Sequence, residues 1–305
     1  MPATATQSPV SLQISGTDLV AAAYLSGQPP HMLNAWGAKG GYAFRTWRIW
    51  AALGLLEPDN AGHVVRSAEY EEFDATEKSH LNYVLGGTLT KAYAASKLGV
   101  PWLAHLSVAV RHGYVVKFNN TRRPDYIGYA NNGRDLVIAE AKGRQSLDTH
   151  LRLALDGKVQ TGAVSHVNRA TPVKRYGVVA EARKSRPVSI YAVEPPEEIE
   201  VKFNAAQWAM SYYTFAQQLI EECADDPRPG EEPLWASMEL RIPEAIEMWL
   251  ERGSTLGNRS DTKKWAQYFD EWPKVEDQAR AEADTYARLR QVTVLPDLLI
   301  GTYAG

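Results

Sequence analysis

Three side chains in this 305-residue chain, Asp125, Glu140 and Lys142, have types and spacing that point to chemistry. Glu140 and Lys142 interrupt the apolar run "LVIAEAK" two positions apart, so in an extended segment both project from one face. Burying either one without a partner is costly. Ahead of the run stands Asn132-Gly133, and Asn-Gly between two apolar segments is the strongest short hairpin signal. With these two residues at the centre of the turn, Asn131 pairs with Arg134 and Asp125 falls opposite Glu140, every pair of positions summing to 265. Directly opposed residues have Cβ atoms about 4.5 to 5.5 Å apart. Two carboxylates at that separation repel each other unless a counter-ion intervenes, and a divalent cation removes the conflict. Ligation by oxygen with open positions suits Mg²⁺ or Mn²⁺ better than zinc. Lys142, on the same face, would sit beside activated water and help to hold a phosphate. A longer turn would shift the register and separate the two acids.

The charge distribution agrees with a polyanionic substrate. The net charge of −3 conceals 15 Lys and Arg against 6 Asp and Glu between Pro101 and Arg186, a local balance of +9. Acidity gathers just after this segment, with 14 acids against four bases between Val193 and Arg252. A basic centre that still keeps acids in an apolar strand implies both an anionic partner and a bound cation. Pro124 fixes the backbone before Asp125. Arg122, Arg123, Arg144 and Lys158 would line a cleft that receives phosphates.

These residues need elements to position them. With 45% hydrophobic residues the chain can build one large or two modest domains. Residues 1–72 read as mainly helical. There, Trp47, Trp50 and Leu53 recur at core-filling spacing, and the turn "EPDNAG" before "HVVRS" would also fit a winged helix with Arg45 and Arg48 facing a duplex. Residues 73–195 order as a helix "FDATEKSHLNYVLGGTLTKAYAASKLGV", strands "LAHLSVAV", "YVVKFN", "DYIGYA" and "LVIAEAK", a helix "SLDTHLRLALDGKVQTGAVSHV", then strands "RYGVVAEA" and "PVSIYAVE". That order predicts an α/β fold with a mixed central sheet flanked by helices, carrying helical N- and C-terminal additions. Gly86-Gly87 inside the first helix points to close packing, or to close approach of a nucleic-acid backbone. Residues 196–305 read as helices whose last member, alternating Glu and Arg, presents a solvated face. A homodimer contact or a partner protein would be met through this region. No stretch reads as a secretory signal or a membrane span. The single cysteine, Cys223, excludes an internal disulfide and fits a reducing, cytoplasmic setting.

Pro124-Asp125, a short hairpin and Glu140-Ala141-Lys142 at the end of an apolar strand resemble the signature of the PD-(D/E)xK nuclease superfamily, which has the restriction endonuclease-like fold. The resemblance covers roughly residues 73–193. It implies a Mg²⁺-dependent endonuclease acting on DNA, with Asp125 and Glu140 as metal-binding acids, the Ala141 carbonyl as a further ligand and Lys142 as the motif lysine. Many members carry another acid on the preceding helix. Glu77 is the nearest match, although Asp74-Ala75-Thr76-Glu77 also reads as a capping box. Some branches place a glutamine on the following helix, where Gln160 stands, equally readable as solvent-facing. Antiviral defence and mobile elements are the settings such nucleases suggest. RNA is an alternative substrate, because phosphate and metal contacts do not read the 2′-hydroxyl. A binding module that has lost its chemistry is another alternative.

Other chemistries leave no trace. None of the seven histidines forms an HExxH-like pair. No Ser-His-Asp or Cys-His arrangement is legible, and "GAKGG" lacks the spacing and preceding strand of a phosphate loop.

Overall fold

A computed structural model describes residues 10–12, 14–27, 47–59, 63–111, 114, 116–121, 123–131, 135–144, 150–167, 174–184, 186–193, 204–224, 238–256, 262–290, 293–295, 297 and 299–303. The chain divides into two compact units, Met1–Phe203 and Asn204–Gly305. In chain order the first contains β1 (Val10–Ser11), α1 (Gly16–Leu25), α2 (47–55), β2 (Leu56–Pro58), β3 (Val64–Arg66), α3 (Ala75–Lys97), β4 (Ala104–His105), α4 (Leu106–Arg111), β5 (Val116–Phe118), β6 (Tyr126–Tyr129), β7 (Leu136–Arg144), α5 (His150–Thr161), β8 (Val164–Val167), β9 (Lys174–Glu181) and β10 (Ser189–Val193).

The apolar run of β7 belongs in the middle of a sheet, because a strand covered on both faces loses the inside-outside alternation. Among the described residues the main sheet has the order β1-β10-β9-β7-β6-β4. β7 and β9 run parallel while β6–β7 and β9–β10 are antiparallel, so the sheet is mixed. α3 and α5 cover opposite faces of β7. A Cβ on Gly143 would strike the Asn82 carbonyl of α3, whereas a Cβ on Gly157 of α5 would meet the Glu140 side chain, and positions 140 and 143 point to opposite sides of a strand. The resulting architecture is mixed α/β, with helices flanking a central mixed sheet.

α3 begins where a capping box would start it. Asp74 Oδ1 accepts from the backbone N–H groups of Thr76 (2.7 Å) and Glu77 (2.9 Å), and Glu77 Oε2 accepts from Asp74 N (3.0 Å). Beyond its end Gly99 takes φ +63°, a conformation that favours glycine. Gly86 abuts the backbone of Lys142 and Gly143, and Gly87 abuts the Tyr126 hydroxyl, so this glycine pair serves packing within the protein.

Several expectations need correction. The region 1–72 is not set apart from the sheet: β1 pairs with β10, and α1 packs on α3. In α2 the tryptophans face outward, Trp47 being 42% and Trp50 41% exposed, while Arg48 is only 2% exposed. The inward stripe is Arg48, Ile49, Ala52 and Leu55. Arg48 is tolerated inside because it meets the carboxyl end of α1, donating from Nη2 to Ser26 Oγ (3.0 Å) and from Nε to the Ala23 carbonyl (3.4 Å). It therefore does not face a duplex, and Arg45 lies outside the described residues. β2 and β3 form a hairpin, but its edge is bridged to Lys184 and Pro187, which a free wing would not be. "LAHLSVAV" is a strand for two residues only and then turns into α4, and Val164–Val167 is a strand where the helix was expected to continue.

The second unit contains α6 (Ala205–Ala224), β11 (Met238–Arg241), α7 (Glu244–Thr255), α8 (Thr262–Asp270), α9 (Trp272–Arg290), β12 (Thr293–Val294) and β13 (Ile300–Tyr303). It is not purely helical, since β11, β13 and β12 form an antiparallel sheet. Its core is aromatic: Trp249 stacks on Tyr268 at 4.8 Å, and the Tyr213 hydroxyl donates to the Asp297 carbonyl (2.6 Å). Along α9, Val275, Ala279 and Ala283 face inward, while Asp277 and Arg280 between them are exposed. Among the described residues, no helix is long and apolar enough to cross a membrane.

Candidate functional site

The β6–β7 ladder pairs Tyr126 with Ala139, Ile127 with Ile138, Gly128 with Val137 and Tyr129 with Leu136. This is the register that a two-residue Asn132-Gly133 turn imposes, although the turn itself lies outside the described residues. One step beyond the last pair, Asp125 and Glu140 meet. Asp125 N donates to Glu140 Oε2 (3.2 Å), and Ala141 N donates to Asp125 Oδ2 (3.0 Å). The Asp125 carbonyl in turn accepts from Leu106 N (2.7 Å) at the start of α4. Asp125 is thus held through its amide, its carbonyl and its carboxylate, which leaves its side chain little freedom.

Glu140 is 1% exposed, and its Oε1 is paired with the Lys142 ammonium. Lys142 is half-buried, so the cation lies at the rim of the site and the glutamate beneath it. A methyl on Gly157 would come within 3.3 Å of Glu140 Cγ, and Gly177 of β9 lies as close to it. The site therefore depends on glycine at this point of α5. Burial pushes the Glu140 carboxyl up to about 7, and the Asp125 charge adds to the rise against the opposing pull of Lys142. Burial also raises the Asp125 carboxyl, opposed by the Ala141 N–H and by Lys142. Both carboxyls are raised chiefly by burial, and each titrates under the influence of the other.

The other candidates divide. Gln160 is brought in: its Nε2 donates to the Arg123 carbonyl (2.7 Å), two residues before Asp125. It acts on the segment that positions the aspartate. Arg123 is exposed, with its guanidinium 4.9 Å above the Phe118 ring. Arg144 is exposed at the end of β7, donating to the Gly143 carbonyl (3.1 Å). Lys158 falls on α5, but its side chain is outside the described ones, as is Arg122 altogether. Ala141 supplies the amide that Asp125 accepts from. Glu77 is the correction: its exposed carboxylate is bonded to the Asp74 amide, so it caps α3 and is not joined to the acid pair.

Four residues escape a reading of residue types alone. Gly157 and Gly143 carry no chemistry, and their only signal is a glycine inside a helix or strand. Tyr83 is 54% exposed on α3, one turn before the glycines that touch Lys142 and Tyr126. His105, opposite Tyr126 in the β4–β6 pair, is lowered to about 4 by burial and by the Arg48 charge, and its Nδ1 accepts from Ser107 N (3.2 Å).

Asp125 and Glu140 have the donor chemistry of a Mg²⁺ or Mn²⁺ site, where one or two carboxylates commonly suffice and substrate oxygens and water complete the shell. Among the described residues, no group of three or more His, Cys, Asp or Glu is placed to hold a metal. Compared with known protein families, curated proteins and solved structures, the chain matches none.

Proposed function

We propose that the first unit is a divalent-metal-dependent nuclease that hydrolyses DNA phosphodiester bonds as an endonuclease, built on a restriction endonuclease-like core of the PD-(D/E)xK type. The observation that supports it is the meeting of Asp125 and Glu140 at the end of one hairpin, with Lys142 on the same glutamate. A structural ion pair needs no second acid. An acid placed beside a buried acid makes sense when a cation and an anionic substrate share the site.

Asp125 and Glu140 would hold Mg²⁺ or Mn²⁺, with the Ala141 carbonyl as a further oxygen. The bound ion supplies Lewis acidity toward a phosphodiester oxygen and makes water a better nucleophile. Lys142 would neutralise charge that develops on the phosphate oxygens. To do so its ammonium must move from Glu140 Oε1 toward the substrate, a motion its half-buried position permits. Arg123 and Arg144, with Arg122 and Lys158, would contribute salt-dependent affinity for the backbone. Gln160, through the Arg123 carbonyl, would keep Asp125 in place. By analogy alone, the setting is defence against foreign DNA in the cytoplasm.

One observation favours a second reading, a binding module without chemistry. Glu140 Oε1, Glu140 Oε2 and Asp125 Oδ2 all accept hydrogen bonds within the protein, so the acids are partly satisfied without a metal. Supercoiled plasmid and a matched RNA, incubated with Mg²⁺, Mn²⁺ or EDTA, separate the readings. Cleavage of the plasmid that needs the metal and disappears in Glu140→Ala is expected. Retardation without cleavage under every condition would establish the binder, and cleavage of RNA alone would change the substrate.

A further inference from the structure

We infer that Tyr83 stacks on an unpaired nucleobase, so that the DNA presented to Asp125 and Glu140 is single-stranded or frayed. The inference rests on the nuclease reading for what the acids do, and it adds the form of the substrate. Its starting point is a break in a pattern. From Leu81 to Ala94 every residue of α3 is buried except Tyr83, which stands 54% exposed.

The position of this residue connects it to the acids. Asn82 and Gly86 pack against the backbone of Lys142 and Gly143, and Gly87 packs against the Tyr126 hydroxyl. Tyr83 precedes Gly86 by three positions and Gly87 by four, the spacings that share one helix face. Side chains on a helix lean toward its amino end. The ring therefore leaves α3 near the end of the β6–β7 pair where Asp125 stands, on the α3 side of β7, yet keeps half its surface in solvent. Burial, then the Asp125 charge, raise the Tyr83 hydroxyl above its ordinary range; Arg48 opposes the shift and Glu140 adds to it. That response is the electrostatic counterpart of the same proximity.

A duplex keeps its bases stacked on one another, so it offers an aromatic ring at a phosphate-cleaving site sugars, phosphates and base edges but no free base face. An unpaired strand offers a π-face with every base, and base–aromatic stacking tolerates any sequence. The surrounding segment supplies the complementary charge, since residues 101–186 carry a balance of +9. A flat exposed ring at this end of the β6–β7 pair thus suits a strand whose backbone is held by cations and whose base rests on the ring.

Binding measured in Ca²⁺, which favours binding without turnover, tests this apart from cleavage. A labelled single strand and the same sequence as a blunt duplex would be titrated with wild type, Tyr83→Ala, Tyr83→Phe and Tyr83→Trp. Tyr83→Ala should weaken single-strand binding about tenfold and leave duplex binding nearly unchanged, while Phe and Trp, which keep a ring, should bind as wild type. Equal loss on both forms, no loss on the single strand, a loss in Tyr83→Phe matching that in Tyr83→Ala, or a wild-type preference for duplex would each overturn the inference. Ring-dependent single-strand binding without cleavage in Mg²⁺ or Mn²⁺ would leave it standing and remove the nuclease reading instead.

Discussion

β7 and the end of β9 carry the same local pattern with opposite surroundings. Glu140-Ala141-Lys142 and Glu181-Ala182-Arg183 each bury a glutamate, 1% and 2% exposed, and pair it with a cation two residues on. Across the strand they diverge. Glu181 stands opposite Ser189 on β10 and Arg144 on β7, whereas Glu140 stands beside Asp125 and Gly177. Even the intervening alanine amide differs in partner, donating to the Asp125 carboxylate at one place and to the Arg144 carbonyl (3.1 Å) at the other. A glutamate followed by a cation is therefore no site in itself. The β9 copy is a compensated ion pair, and the β7 copy becomes a candidate centre because a second carboxylate is set against it.

The largest expected effect separates the two glutamates by activity. Glu140→Ala should lower plasmid cleavage by at least about a hundredfold, as loss of a ligand to the ion that stabilises transition-state charge does. Glu181→Ala should leave cleavage per folded molecule near wild type, with its cost appearing in urea denaturation instead. Equal loss of activity in both would erase the distinction.

Titration sharpens the comparison next. Burial and the Asp125 charge raise Glu140 from 4.5 to about 7, so the folded state holds this proton more tightly than the unfolded chain. The metal-free protein should then lose stability as pH rises from about 4.5 to about 7, by at most about 3 kcal/mol from this residue. Asp125→Asn removes the neighbouring charge and should flatten the stability profile measured by denaturant titration at each pH. Mg²⁺ added above pH 7 should raise the melting temperature of wild type and not of Glu140→Ala.

The last comparison, ending on the smallest effect, concerns one glycine on each face of β7. Gly143→Ala drives a methyl into the Asn82 carbonyl and should cost about 2 to 3 kcal/mol in thermal or urea unfolding. Gly157→Ala meets Glu140 Cγ and Gly177 Cα at 3.3 Å, and a gain of about 1 kcal/mol in helix propensity offsets that crowding. Its net stability change should be under about 1 kcal/mol, with cleavage reduced because Glu140 must shift. A stable, fully active Gly143→Ala would show that α3 does not press on β7 as described.

Much of the site was legible because it is local. Asn132-Gly133 between two apolar runs predicted the register that the β6–β7 ladder has, and side-chain alternation then placed Asp125, Glu140 and Lys142 together. The capping box was legible for the same reason, since Asp74 and Glu77 are three residues apart. Where two readings shared one local pattern, the sequence left them open. Glu77 fitted a cap and, by resemblance, a third acid, while the run at 103–110 read as a strand throughout and is one only at Ala104 and His105, because brief apolar runs carry no decisive period. The second-unit strands were missed because β11 lies far along the chain from β12 and β13, which pair into its sheet.

By itself, then, the amino-acid order determined the mixed α/β pattern, the hairpin and the pairing of two acids with a lysine, all of which follow from interactions between residues near in sequence or joined by one tight turn. Tertiary packing alone decided which face of α2 is buried, sending Arg48 inward to the end of α1 and the tryptophans outward, against their usual hydrophobic order. It also decided that α5 reaches Glu140 through Gly157, that Gln160 holds the Arg123 carbonyl, and that Tyr83 stays exposed at the Asp125 end of the β6–β7 pair. These outcomes depend on close approaches between segments distant in the chain, and side-chain type alone does not encode such distances.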